Sequence, residues 1–189
     1  MTRKPQIIHL PTQLNATSTP RVQPPKTRCG PGAVRTELES LKEGLMRCAE
    51  QDEHVITDDT DLLIYLAAKV AVSKRIKKLH AAISVADVTF IPKSSAKEAP
   101  RLVLIRHESS EYRNGFLLFN ILTIELHKDN LMELVLLLIQ CYYAWDLTYP
   151  IQYQILGFLQ LYLLKDSDSD FKKSANFLRF QRKYDDITH

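Results

Sequence analysis

Between Asn130 and Leu164 the chain carries its most apolar stretch, NLMELVLLLIQCYYAWDLTYPIQYQILGFLQLYLL, broken once at Asp146-Leu147-Thr148-Tyr149-Pro150. So much apolar surface cannot be left in water, and any fold must be built to cover it. Asn130 can cap a helix, with Glu133 three residues on to close a capping box. The run to Trp145 is about 16 residues, or roughly 24 Å of helix. Pro150 cannot continue that helix, but its fixed φ suits the first turn of another. In that second helix Ile151, Ile155, Phe158, Leu159, Tyr162 and Leu163 share one face. Two apolar helices joined by a short break are expected to fold back as an antiparallel hairpin and form the core. Trp145 is expected to be buried at their corner, beside Tyr149 and Phe158.

The stretch is not a membrane span. Leu131 to Trp145 is too short at about 15 residues, contains Glu133 and Gln140, and runs into Asp146. Met1 to Pro11 lacks the sustained apolar region of a signal peptide. These features predict a soluble intracellular protein with no membrane partner. Three scattered cysteines, Cys29, Cys48 and Cys141, do not make a disulfide framework.

The net charge of +3 is unevenly distributed. Residues 1–36 hold Arg3, Lys4, Arg21, Lys26, Arg28 and Arg35 and no acid, so the remainder is mildly acidic. The first 32 residues include six prolines and many Ser, Thr and Gln. They cannot bury enough apolar surface to offset their ordering entropy, which predicts a disordered basic tail over 1–33. Residues 34–189 then form a single α+β domain. The one apolar cluster of the tail, Ile7-Ile8-His9-Leu10, could be a short docking motif.

Thr36 and Glu39 make a capping box for a helix reaching about Gln51, with Leu38, Leu41, Leu45 and Cys48 along its buried side. A second helix is expected from Asp61 to about His80, its start marked by Asp58, Asp59 and Asp61. It would bury Leu62, Leu66, Val70, Ser73 and Ile76. Lys74, Arg75, Lys77 and Lys78 in its last turns fit a nuclear-localisation pattern, or equally a solvated helix end.

From Ser84 the period changes. Val85, Val88, Phe90 and Ile91 suggest a strand ending before Pro92, and Arg101–Arg106 another. Phe116 to Leu126 is apolar, and its second part alternates inward and outward. A small antiparallel hairpin or sheet is expected between the N-terminal helices and the helical hairpin. Residues 165–170 form an acidic linker, and a basic helix from Phe171 to about Tyr184 follows. Its aromatics Phe177, Phe180 and Tyr184 lie on one face, and Lys172, Lys173, Arg179, Arg182 and Lys183 surround them.

Neither catalytic nor metal-binding constellations are found in the sequence, and no cofactor is implied. His107-Glu108 has Glu111 where a zinc-protease helix needs its second histidine. Asp166, Asp168 and Asp170 begin like a calcium loop, but Phe171 and Phe177 stand where Gly and Glu are required. The five glycines do not make a phosphate-binding loop.

The aromatic run Cys141-Tyr142-Tyr143-Ala144-Trp145, the break ending in Tyr149-Pro150, and Phe158-Leu159-Gln160 form a distinctive series. With the preceding Leu117 to Glu125, residues 115–164 resemble a helical C-terminal module of animal proteins, several of them derived from mobile elements. The resemblance implies a packing module found in nuclear or nucleic-acid-linked settings, and no activity.

Taken together, these features predict a non-enzymatic adaptor, a nuclear subunit of a chromatin-, telomere- or transcription-associated complex, with the cytoplasm as a second location. Its partners would be other proteins, including a second copy of itself, met through apolar helical surface, Phe177, Phe180 and Tyr184 above all, and through the basic tail. The alternative is a nucleic-acid-binding protein that uses the basic tail and Lys172, Lys173, Arg179, Arg182 and Lys183.

Overall fold

The computed structural model describes residues 31–72, 82–87, 98–106, 114–120, 122–127, 131–166 and 171–188. The stripe of Leu38, Leu41, Leu45 and Cys48 is the buried side of α1 (Pro31–Gln51). Pro31 stands in its first turn, where a missing N–H costs nothing. Residues 31–33, which composition groups with the tail, are therefore helical. Residues 1–30, including Ile7 to Leu10, lie outside the described residues.

Asp58 caps α2 (Asp59–Val70), accepting the Thr60 and Asp61 N–H groups at 2.8 Å each. Leu62, Leu63, Tyr65, Leu66 and Val70 are buried along it. The helix is shorter than its periodicity suggests, because Ala71 turns to an extended ψ of 139°. Residues 73–81, with Ser73 and Ile76, lie outside the described residues.

The sheet follows in chain order: β1 (Ile83–Asp87), β2 (Arg101–Arg106), β3 (Asn114–Phe119) and β4 (Leu122–His127). It is mixed rather than antiparallel throughout, since β1 pairs parallel to β2. A parallel pair needs a long crossover, and the 13 residues from 88 to 100 supply it. β1 also begins earlier than its apolar residues suggest; Val88, Phe90 and Ile91 fall outside the described residues. The apolar run from Phe116 is not one strand but a hairpin, turned at Asn120 with φ 56°. Asparagine is among the few residues that adopt this conformation readily.

Helix α3 (Leu131–Ala144) lies across one face of the sheet, against β2. Gly115 permits the close approach, since a Cβ there would meet Leu134 Cδ1 at 3.0 Å. At the other end of the helix, Tyr142 Oη donates to the Pro100 carbonyl at 2.8 Å. Val103, Ile105, Phe116 and Leu118, on the opposite face, form a second, smaller buried cluster.

The expected helical hairpin does not form. Helix α4 (Gln154–Leu163) packs among α1, α2 and α5 (Ala175–Thr188) rather than along α3. It also starts later than Pro150 suggests. Tyr153 N–H donates to Pro150 O at 2.8 Å, so 150–153 is a turn, and Ile151 is exposed. Gln154, fully buried, holds this turn: its amide donates to Ile151 O and Lys172 O and accepts from Ser174 N–H. Ser174 Oγ in turn accepts from Phe177 N–H, which sets the start of α5 four residues beyond Phe171. Ser174 Oγ and Asn176 Nδ2 also donate to Val70 O and Ala71 O, covering carbonyls that α2 leaves open. The architecture is α+β, with its main core where α4 meets the other helices.

Candidate interaction surfaces

The two sets of residues in and just before α5 that were expected to meet a partner are placed differently. Phe177, Phe180 and Tyr184 are buried, their rings 5.6, 5.5 and 5.6 Å from that of Phe158 on α4. They complete this chain's own core and present no docking face. Burial pushes the Tyr184 hydroxyl up to about 12.

The basic residues divide. Lys183 is drawn inward, donating to the Cys48 carbonyl and pairing with Asp52. Lys173 lies 5.5 Å from the Phe177 ring centre and donates to Gln181. Lys172, Arg179 and Arg182 stay exposed. Arg179 and Arg182 rim an open depression of about 680 Å³ around Leu178, with Gln51, Asp186 and Ile187. Lys74, Arg75, Lys77 and Lys78 lie outside the described residues.

Asp52 caps the end of α1 and joins three helices. It pairs with Lys183 of α5 and Lys69 of α2, and accepts from Tyr65 Oη at 2.8 Å. Lys183 first, then Lys69, holds its carboxyl well below the usual range. The cluster is a structural tie, since every charge in it has a partner. Burial raises the Cys48 thiol to about 11 and also raises Cys141, so both stay protonated at neutral pH. Among the described residues no group of His, Cys, Asp or Glu is placed to hold a metal ion. Nor is any helix among them long and apolar enough to cross a membrane.

A surface not expected from the sequence lies at the end of α3 and the β4 edge of the sheet. Trp145 is not buried beside Phe158; it is 40% exposed and stacks on Phe119 with ring centres 4.5 Å apart. The end of α3 explains this. Asp146 adopts φ 49°, Leu147 N–H reaches back to Tyr142 O, and Asp146 N–H to Tyr143 O. This Schellman closure turns the chain at Trp145 and leaves the indole over the end of β3. Phe119 pairs across the hairpin with Leu122, and Leu117 with Ile124. Leu122 and Ile124 are 50% and 42% exposed, on the strand at the sheet edge. Leu147, two residues beyond the indole, is also exposed. The alternation of Leu122, Ile124 and Leu126 was visible in the sequence, but its position at an edge was not. In comparisons with known proteins, the chain matches no family model, no curated protein and no solved structure.

Proposed function

We propose that this chain is a non-enzymatic adaptor that docks a protein partner on the apolar patch around Trp145, within a nuclear complex. The observation that carries this reading is the exposed Trp145–Phe119 stack, continuous with Leu122 and Ile124. Tryptophan dominates interface hot spots. Here the indole is held by the stack and the helix closure, so little entropy remains to be lost on binding. The protonated thiols and paired charges are consistent with a role that involves no chemistry. The nuclear setting rests on the basic run Lys74 to Lys78 and on the resemblance of residues 115–164 described above.

The test is affinity purification of the tagged full chain from its own cells, with nuclease, comparing wild type with Trp145→Ala. The variant is expected to stay folded, with a loss of about 1–2 kcal/mol from the missing stack, and to lose its specific partners. An unchanged partner set overturns the assignment of this patch.

Arg179 and Arg182, which rim an open depression, and the exposed Lys172 favour a second reading, nucleic-acid binding. With Lys183 and Lys173 engaged internally, no more than about three phosphate contacts are expected from these side chains, giving a log-log salt slope of about −3. A titration at low salt showing no binding to DNA or RNA removes it.

A further inference from the structure

We propose that β4 pairs with a second copy of itself: two chains join β4 to β4, antiparallel and centred on Ile124, forming one continuous sheet. In the described sheet β4 is the terminal strand, bonded on one side to β3. Edge strands are normally guarded against such pairing by proline, bulges, lysine or inward-turned charge. β4 has no proline, bulge or lysine, and its one carboxylate, Glu125, is exposed on the face that carries Phe116. Its six residues pair with β3 without a bulge, and the sequence Leu-Thr-Ile-Glu-Leu-His contains neither proline nor lysine.

The pattern of side chains selects both the partner and the register. Centred on Ile124, the two-fold pairing sets Ile124 against Ile124, Leu122 against Leu126, and Thr123 against Glu125. One face of the joint is then entirely apolar, the half-exposed Ile124 covered by its own copy and Leu122 by Leu126. The other face sets a hydroxyl against a carboxylate. Such cross-strand pairs are what stabilise a sheet. Shifting the centre to Glu125 sets two carboxylates face to face, and shifting it to Thr123 sets Leu126 against the turn residue Asn120. A foreign strand would not need this symmetry about a single residue; a second copy does. The other edge lacks it, because a β1 pairing centred on Val85 sets Ile83 against Asp87.

A six-residue joint is small beside the roughly 1,200–2,000 Å² of a stable complex, so a concentration-dependent dimer is expected. This inference extends the reading of the patch as an interaction surface and fails separately from it. The full chain is followed by sedimentation velocity from about 1 µM to about 300 µM, a range that brackets micromolar association. Wild type is expected to shift from monomer to dimer and Ile124→Lys to remain monomeric, with an unchanged circular dichroism spectrum. Cysteine cross-linking reads the register and does not depend on that variant's folding. Ile124→Cys should link to itself under mild oxidation. Leu122→Cys should link only when mixed with Leu126→Cys, and wild type should not link. A chain that stays monomeric throughout overturns the inference, and if Trp145-dependent partner capture persists it leaves the adaptor reading standing. A dimer that survives Ile124→Lys also overturns it. So does one lost only on removing residues 1–30, which would assign the contact to the segment Ile7 to Leu10.

Discussion

The hydroxyl of Thr60 is buried in the first turn of α2 with no hydrogen-bond partner among the described residues. Leaving such a group dry costs about 1–3 kcal/mol, and valine has nearly the same shape. Thr60→Val is therefore expected to raise stability by about 1 kcal/mol in urea unfolding; a loss would show that the hydroxyl is bonded. Gln154 is the opposite case, since both ends of its amide are engaged. Asp52 gives the residue scale its pH dependence. Lys183 and Lys69 depress its folded pKa, so its stabilising contribution is complete above the unfolded carboxylate value, near 3.9. That contribution is lost as pH falls below about 4 towards the depressed folded value. Wild type should lose more thermal midpoint than Asp52→Asn between about pH 5 and pH 2. Equal losses would show that the two lysines do not act through this carboxylate.

At the scale of elements, two helices end alike. α1 turns through Glu53 at φ 55° and α3 through Asp146 at φ 49°, each with the carbonyl bonds of a Schellman closure. Glycine adopts that conformation without strain, so Asp146→Gly is expected to gain up to about 1 kcal/mol. Gly157, in the middle of α4, runs against the ordinary preference for alanine. There a Cβ would meet the Phe171 ring at 2.3 Å. Alanine's propensity gain is about 1 kcal/mol, and displacing a ring packed on Tyr149 and Phe177 costs about 1–3 kcal/mol. Gly157→Ala should therefore lower the thermal midpoint. What the sequence made legible at this scale was local: the α1 stripe, the acids at the start of α2, the α+β class. Partner choice was not, because Leu138 or Phe158 buries equally well against a sheet or a helix. Trp145 was misplaced for a related reason. Its direction depends on a left-handed Asp146, which no side-chain pattern announces. The aromatics of α5 showed a stripe without showing that Phe158 would fill the space opposite it.

For the whole molecule, residues 1–30 and α5 play unequal roles. Residues 1–30 carry a basic, proline-rich composition with little to bury. A chain beginning just ahead of Pro31 is expected to keep the thermal midpoint of the full chain; a drop would show that the first 30 residues pack. α5 has no such licence. Its hydrogen bonds to Val70 and Ala71 span 104 and 105 residues, and that of Lys183 to Cys48 spans 135. Contacts so distant in sequence form slowly, because long loops must close before any of them is rewarded. During synthesis, α1, α2 and α4 must therefore wait with Phe158 uncovered until residue 184 has cleared the ribosome. Exposed apolar surface of this kind is what chaperones bind and what aggregates without them. The cell would meet this chain first as a client for protection, and as a folded domain only once α5 has closed over α4.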